Sequence, residues 1–201
     1  MKVYLLDGLW GRHWRLAKLA AQLNLNGFDS EIWTYDSSGR VEISILAERF
    51  LKDTQSEKFH AVGYSMGGLI LREAMRLKPD LPLTQVAFLN TPHAGTLVAN
   101  VFGFLGVGIR EMQPQSSFLN RLNTAALGQH CEATLAVRTI GDLMVIPSKS
   151  ASFEKGNTAK RKKNITLKLP AHVWPIYSSR LHLQITNFFL NNKKIRDGLN
   201  G

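Results

Sequence analysis

One cysteine, Cys131, is all the thiol chemistry that the 201-residue chain carries. An intramolecular disulfide and a cysteine-based zinc site are therefore excluded, and a small core position is the expected place for it. Acidic residues are scarce beside basic ones, 15 against 25, which leaves a net charge of +10. No apolar run reaches the roughly 18 residues that span a bilayer. The opening Met1-Lys2-Val3-Tyr4-Leu5-Leu6 meets Asp7 too early for the apolar region of a signal peptide, so a cytoplasmic location is expected. Internal repeats and low-complexity linkers are missing too. The basic residues Lys155, Lys160, Arg161, Lys162, Lys163, Lys193, Lys194 and Arg196 are not interleaved with stacking aromatics, and no nucleic-acid-binding motif accompanies them. That argues against nucleic acid as a partner. It leaves solvated loops and a solvated helix end, or weak attraction to an anionic membrane surface or substrate.

What is present is an ordinary globular composition, 44% hydrophobic and 20% charged, in a length that suits one domain over residues 1–201. Short apolar runs alternate with helical stretches, which predicts a parallel α/β sheet of about six strands with helices on both faces. Strands are expected at 3–6, 30–35, 59–63, 83–90, 134–140 and 164–169. Helices are expected at 14–24, 41–52 (with Ile45, Leu46, Ala47 and Phe50 in its stripe), 67–77 and 180–190. Residues 95–128 are Gly-rich and apolar, and read as a buried helical excursion or a flap over a site. Residues 147–163 read as a basic loop.

The most specific local feature is Gly63-Tyr64-Ser65-Met66-Gly67, a G-x-S-x-G pentapeptide. The β-prone Phe59-His60-Ala61-Val62 runs into it and a helically periodic stretch leaves it, the strand–turn–helix setting of a nucleophile elbow. Backbones crowd on either side of such a turn, where a β-carbon at position 63 or 67 would clash. Ser65 is the candidate nucleophile.

A serine hydroxyl needs an imidazole to take its proton, and the imidazole needs a carboxylate to hold its tautomer. An elbow serine is followed in chain order by the acid and then the base. Asp142 lies just past an expected strand and is the candidate acid. Asp80, Glu73, Glu132 and Glu154 are poorly placed. Of the six histidines, His13, His60, His93 and His130 precede Asp142. His172 follows a strand and a short turn and is preferred over His182, which falls inside the closing helix as a helix-surface group. Two backbone N–H groups should hold the developing oxyanion. Met66, after the nucleophile, supplies one. Leu9, or failing that Trp10, supplies the other from the loop after the first strand.

With these residues in place, the chain resembles the α/β-hydrolase superfamily, in its small lipase/esterase branch. Gly63-Tyr64-Ser65-Met66-Gly67-Gly68 is similar to the lipase pattern G-H-S-M-G-G. Leu89-Asn90-Thr91-Pro92-His93-Ala94-Gly95-Thr96 resembles a segment shared by bacterial triacylglycerol lipases and relatives of GPI inositol-deacylase, as does the stretch from Glu111 to Leu122. Asp142, Val145, Pro147 and Ser148 match the family's acid loop, and His172 its final histidine region. The resemblance implies a minimal α/β-hydrolase fold without two antiparallel leading strands or a large cap domain. It also implies that His93 is structural. Two positions depart from the pattern: Tyr64 stands where His is common, and Asp7-Gly8 replaces the usual His-Gly of the oxyanion loop.

The combined expectation is a serine hydrolase of carboxylic esters that uses Ser65, Asp142 and His172 through an acyl-enzyme, with no metal or organic cofactor. A small-molecule ester or lipid is the expected substrate. Trp10, Phe102 and Phe104 are expected in the acyl pocket, with Leu9 and the rest of 102–107. A thioesterase or acyltransferase on the same three residues, or a non-catalytic lipid-binding protein, are the alternatives.

Overall fold

The computed structural model describes residues 1–54, 57–126, 131–154, 157–168 and 171–197, without the side chains of 192–197. His130, Lys155 and the side chains of Lys193, Lys194 and Arg196 lie outside that description, as do parts of the expected 95–128 and 147–163 segments.

Six strands form one parallel sheet: β1 (Lys2–Leu6), β2 (Asp29–Trp33), β3 (Phe59–Tyr64), β4 (Leu83–Leu89), β5 (Ala133–Thr139) and β6 (Arg161–Leu167). Their spatial order is β2-β1-β3-β4-β5-β6, and every pairing is parallel. The crossovers carry α1 (Ala17–Leu25), α2 (Ile43–Asp53) and α3 (Met66–Leu77). A helical excursion follows β4: α4 (Val98–Phe102), α5 (Val107–Glu111) and α6 (Ser117–Thr124). The short α7 (Trp174–Tyr177) and the 19-residue α8 (Ser179–Asp197) close the chain.

Period-two alternation divides the strands between two cores. Tyr4, Leu6, Ala61, Val86 and Phe88 face α2 and α3. Val3, Leu5, Val62, Ala87, Leu89, Leu135 and Val137 face α1 and α8 on the other side. The central strands β3 and β4 are buried along their whole length, as both-faces-covered parallel strands must be. Phe88 is fully buried between Phe153 and His93, and burying a ring of that size contributes about 1.5–3 kcal/mol. Cys131 is buried in the first core, and that burial pushes its thiol up to about 12.

Three expectations change. Ile45 is exposed; the buried stripe of α2 is Ile43, Leu46, Ala47 and Phe50, the i, i+3, i+4, i+7 set counted from a helix that starts at Ile43. Arg161, Lys162 and Lys163 are not loop residues but the exposed start of β6. Among the described residues β6 pairs on one side only, and a charged outer strand discourages pairing with another chain. His182 is not a helix-surface group: it is buried, with Nε2 2.7 Å from the Ile176 carbonyl oxygen. Among the described residues no helix is long and apolar enough to cross a membrane.

Candidate active site

The strand order reverses between β1 and β3, so the chain leaving β1 goes to one side and the chain leaving β3 to the other. A crevice opens at the carboxyl ends of such neighbours. Ser65 sits in that crevice, between the end of β3 and the first turn of α3. Its φ is +51°, a left-handed value that a serine adopts only when its surroundings impose it. The Ser65 N–H donates to the Leu89 carbonyl at 2.8 Å, and the Ser65 carbonyl accepts from the Gly68 N–H at 3.1 Å. A β-carbon at position 67 would lie 2.5 Å from the Leu6 carbonyl oxygen. One at position 8 would lie 2.7 Å from Ser65 Cβ, so the loop after β1 rests directly on the serine.

His172 lies in the turn between β6 and α7, and its Nδ1 is 2.6 Å from Asp142 Oδ2. Asp142 is buried at the end of β5, where its other oxygen accepts the N–H groups of Met144 (2.8 Å) and Val145 (2.9 Å). Both carboxylate oxygens are thus engaged, one aimed at the imidazole and one closing the loop that carries the acid. Ser65 and His172 line the same cavity, of about 220 Å³.

The loop after β1 is shaped by Asp7. Its carboxylate accepts the Gly8 N–H at 2.7 Å and the Arg12 N–H at 2.9 Å, and lies 3.4 Å from Arg15 Nε. Burial holds this carboxyl above the usual carboxylate range, against the opposing pull of the Gly8 N–H and Arg15. Tyr35 braces the same loop by donating its hydroxyl to the Asp7 carbonyl at 2.5 Å. Trp10, the second choice for an oxyanion donor, has its N–H committed to the Ser37 carbonyl at 2.7 Å. For the N–H groups of Leu9 and Met66, no acceptor is found among the described residues.

The cavity wall is apolar: Leu9, Trp10, Val98, Ala99, Phe102, Ile109, Met112 and Met144 contribute, with Arg15 and Tyr64 beside the serine. Phe104 was expected here and is not; it is 77% exposed and does not line the cavity. The three-residue 3₁₀ turn Gly103–Leu105 carries it away from Phe102. Ile109, Met112, Met144 and Arg15 were not singled out by sequence. Each is an unremarked residue of a helix, turn or loop until the fold brings these segments to one mouth.

His93 lies apart from this wall, buried and stacked on Phe153 at 4.6 Å. Its carbonyl accepts from the fully buried Arg72, whose guanidinium also holds the Leu122 carbonyl and Asn123. A second, larger groove of about 390 Å³ runs between β6 and α8. Arg161, Lys162 and Lys163 line it, and it holds none of the candidate residues.

No protein-family model matches this chain, and no curated protein matches its sequence. Solved structures do match its fold. The mature form of the Bacillus licheniformis lipase BlEst2 superposes with a TM-score of 0.69 at 17% identity, over 94% of this chain and 91% of that one. Aspergillus fumigatus lipase B gives 0.68 at 13% identity over 87% of this chain, which spans about half (49%) of that protein. The RedJ thioesterase from the prodiginine biosynthetic pathway of Streptomyces coelicolor gives 0.62 at 11%, over 92% of this chain and 84% of that one. The chain has a compact α/β-hydrolase fold. Solved structures that share this fold include lipases, a metagenome-derived lipolytic enzyme and a thioesterase.

Proposed function

We propose that the protein is a serine hydrolase of carboxylic esters. The observation that carries this reading is the 2.6 Å contact from Asp142 Oδ2 to His172 Nδ1, at a cavity that Ser65 and His172 line together. His172 Nε2 takes the Ser65 proton as Oγ attacks the ester carbonyl carbon. The alkoxide formed on the carbonyl oxygen is held by the Leu9 and Met66 N–H groups. His172 then returns the proton to the leaving alcohol as the C–O bond breaks. In the second half, His172 deprotonates a water that attacks the acyl-Ser65 ester, and the acid and free serine result. Asp142 holds the imidazole with its proton on Nδ1 and stabilises the cation formed in each half. No metal or organic cofactor enters these steps.

The apolar wall supports an acyl group as the part of the substrate that is buried. Trp14, Val101, Phe104, Leu143 and Trp174 are exposed on segments that follow the carboxyl ends of β1, β4, β5 and β6. Together with the net charge of +10, they support a substrate drawn from an anionic lipid surface. Intact-mass measurement after brief exposure to p-nitrophenyl butyrate tests the acyl-enzyme: the protein should gain one butyryl group on the peptide containing Ser65. A series of esters and matching thioesters then identifies the preferred substrate. Faster cleavage of the thioesters would move the assignment to a thioesterase.

A further inference from the structure

The turn that carries His172 belongs to no strand or helix, so its main chain has no ladder of its own to fix it. It is fixed instead by two side chains from the ends of neighbouring strands. Asn90, just past β4, donates from Nδ2 to the His172 carbonyl oxygen at 2.9 Å. Tyr64, the last residue of β3, donates its hydroxyl to the same oxygen at 3.2 Å. The amide orientation of Asn90 is set from the other side, because its Oδ1 accepts the Thr139 hydroxyl at 3.0 Å. Rotating the amide would turn its oxygen onto the His172 carbonyl, two acceptors facing each other.

Asn90 is fully buried and has a φ of +45°. Its main-chain N–H donates to the Val137 carbonyl at 2.8 Å, which anchors it to β5. Glycine would adopt this backbone freely, whereas asparagine occupies it at some cost. The side chain that brings this cost is the one that reaches His172. The imidazole is thus held by Asp142 at its ring and by Asn90 and Tyr64 at its backbone, from three successive strand ends.

We infer that Asn90 is a positioning residue for His172, with Thr139 orienting its amide and Tyr64 sharing the same acceptor; this rests on reading His172 as the base that serves Ser65. Asn90 touches neither substrate nor the reacting atoms. It sets where the imidazole stands, and a misplacement of about 1 Å at such a group can lower the rate about 100-fold.

The test uses Asn90→Gly, Asn90→Asp and Tyr64→Phe in the full chain. Asn90→Gly removes the side chain at a backbone that glycine accepts, so the protein folds. Its kcat for p-nitrophenyl butyrate should fall about 10- to 100-fold with KM unchanged. Asn90→Asp can donate to the His172 carbonyl only as the neutral acid and opposes it as a carboxylate, so its kcat should fall with rising pH over a range where the wild-type value holds. Tyr64→Phe should lose a few-fold in kcat, and more than that on top of Asn90→Gly. An activity-independent readout is the low-field proton resonance of His172 Nδ1–H bonded to Asp142, assigned by its disappearance in Asp142→Asn. Asn90→Gly should broaden or shift it. If wild-type protein hydrolyses no ester yet Asn90→Gly still disturbs that resonance, the positioning role stands and the hydrolase reading fails. Wild-type kcat, pH profile and resonance in Asn90→Gly would overturn the inference.

Discussion

The carboxylate of Asp7 takes a 2.7 Å hydrogen bond from the N–H of Gly8, and so turns back on the loop it begins. It is absent from the cavity wall, where a free carboxylate would repel the oxyanion formed on an ester. With Arg12 N–H and Arg15 as its other partners, it holds the loop in the shape that leaves the Leu9 N–H available. Asp7→Ala breaks all of these contacts and should lower kcat for p-nitrophenyl butyrate about 10- to 100-fold. Asp7→Asn keeps an acceptor oxygen for Gly8 and should lose less. Full activity in Asp7→Ala would show that the loop needs no such brace.

Asp142→Asn probes the other carboxylate. The amide oxygen can still accept from Met144 and Val145, so the loop should stay in place. Its NH₂ meets His172 Nδ1 as a donor and forces the wrong tautomer. A drop in kcat on the order of 10³- to 10⁴-fold is expected with the fold intact by circular dichroism, and a loss under 10-fold would remove Asp142 from the mechanism.

Much of this arrangement was legible in the chain, and the misreadings have definite causes. Strand–turn–helix around Ser65 could be read because the turn is tight: a β-carbon at position 63 would meet Gly68 of the same turn, and one at 67 the Leu6 carbonyl of the neighbouring strand. Chain order left His172 and His182 as partners for Asp142, and the position after a strand favoured His172, whose Nδ1 lies 2.6 Å from Asp142 Oδ2. Ile45 misled because it is apolar, yet at about 3.6 residues per turn it points almost opposite to the stripe of Ile43, Leu46, Ala47 and Phe50. The start of β6 hid behind three basic residues, since an outer strand can carry charge that an inner one cannot. His182 is buried with its Nε2 against the Ile176 carbonyl of α7, a main-chain partner that no side-chain pattern announces. The exposure of Phe104 follows from the 3₁₀ turn that begins at Gly103, directly after Phe102, and apolar composition does not report direction.

That last difference separates two functions within one segment. Phe102 lines the cavity, while Phe104 is 77% exposed beyond it. Phe102→Ala should raise KM for an octanoate ester about 10-fold, the loss of roughly 1.4 kcal/mol of apolar contact, with little change for acetate. Phe104→Ser should leave both soluble esters unchanged and weaken sedimentation with anionic phosphatidylglycerol vesicles. An unchanged KM in Phe102→Ala would place the acyl chain elsewhere.

Acid should weaken the fold through its buried histidines. Burial, aided by the Arg72 guanidinium, holds His93 well below the usual imidazole range, and burial lowers His182 in the same direction. Each takes up its proton less readily in the folded chain than in the unfolded chain, where an imidazole titrates near about pH 6.5. The unfolded state then binds more protons, so stability rises with pH through this window and is lost as pH falls below about 6.5. Each fully shifted histidine contributes a slope of about 1.4 kcal/mol per pH unit. Melting temperature should fall between pH 7 and pH 5, and His93→Phe, which keeps a ring between Phe88 and Phe153, should flatten the fall. An equal slope in His93→Phe would locate the acid sensitivity elsewhere.

The central claim is that Ser65 is a nucleophile activated in place, and fluorophosphonate labelling tests it most directly. Wild-type protein should take up one phosphonyl group, on the peptide containing Ser65, and lose p-nitrophenyl butyrate hydrolysis in proportion. Ser65→Ala should fold, remain unlabelled and turn over no ester. Labelling or hydrolysis that survives in Ser65→Ala would contradict the account.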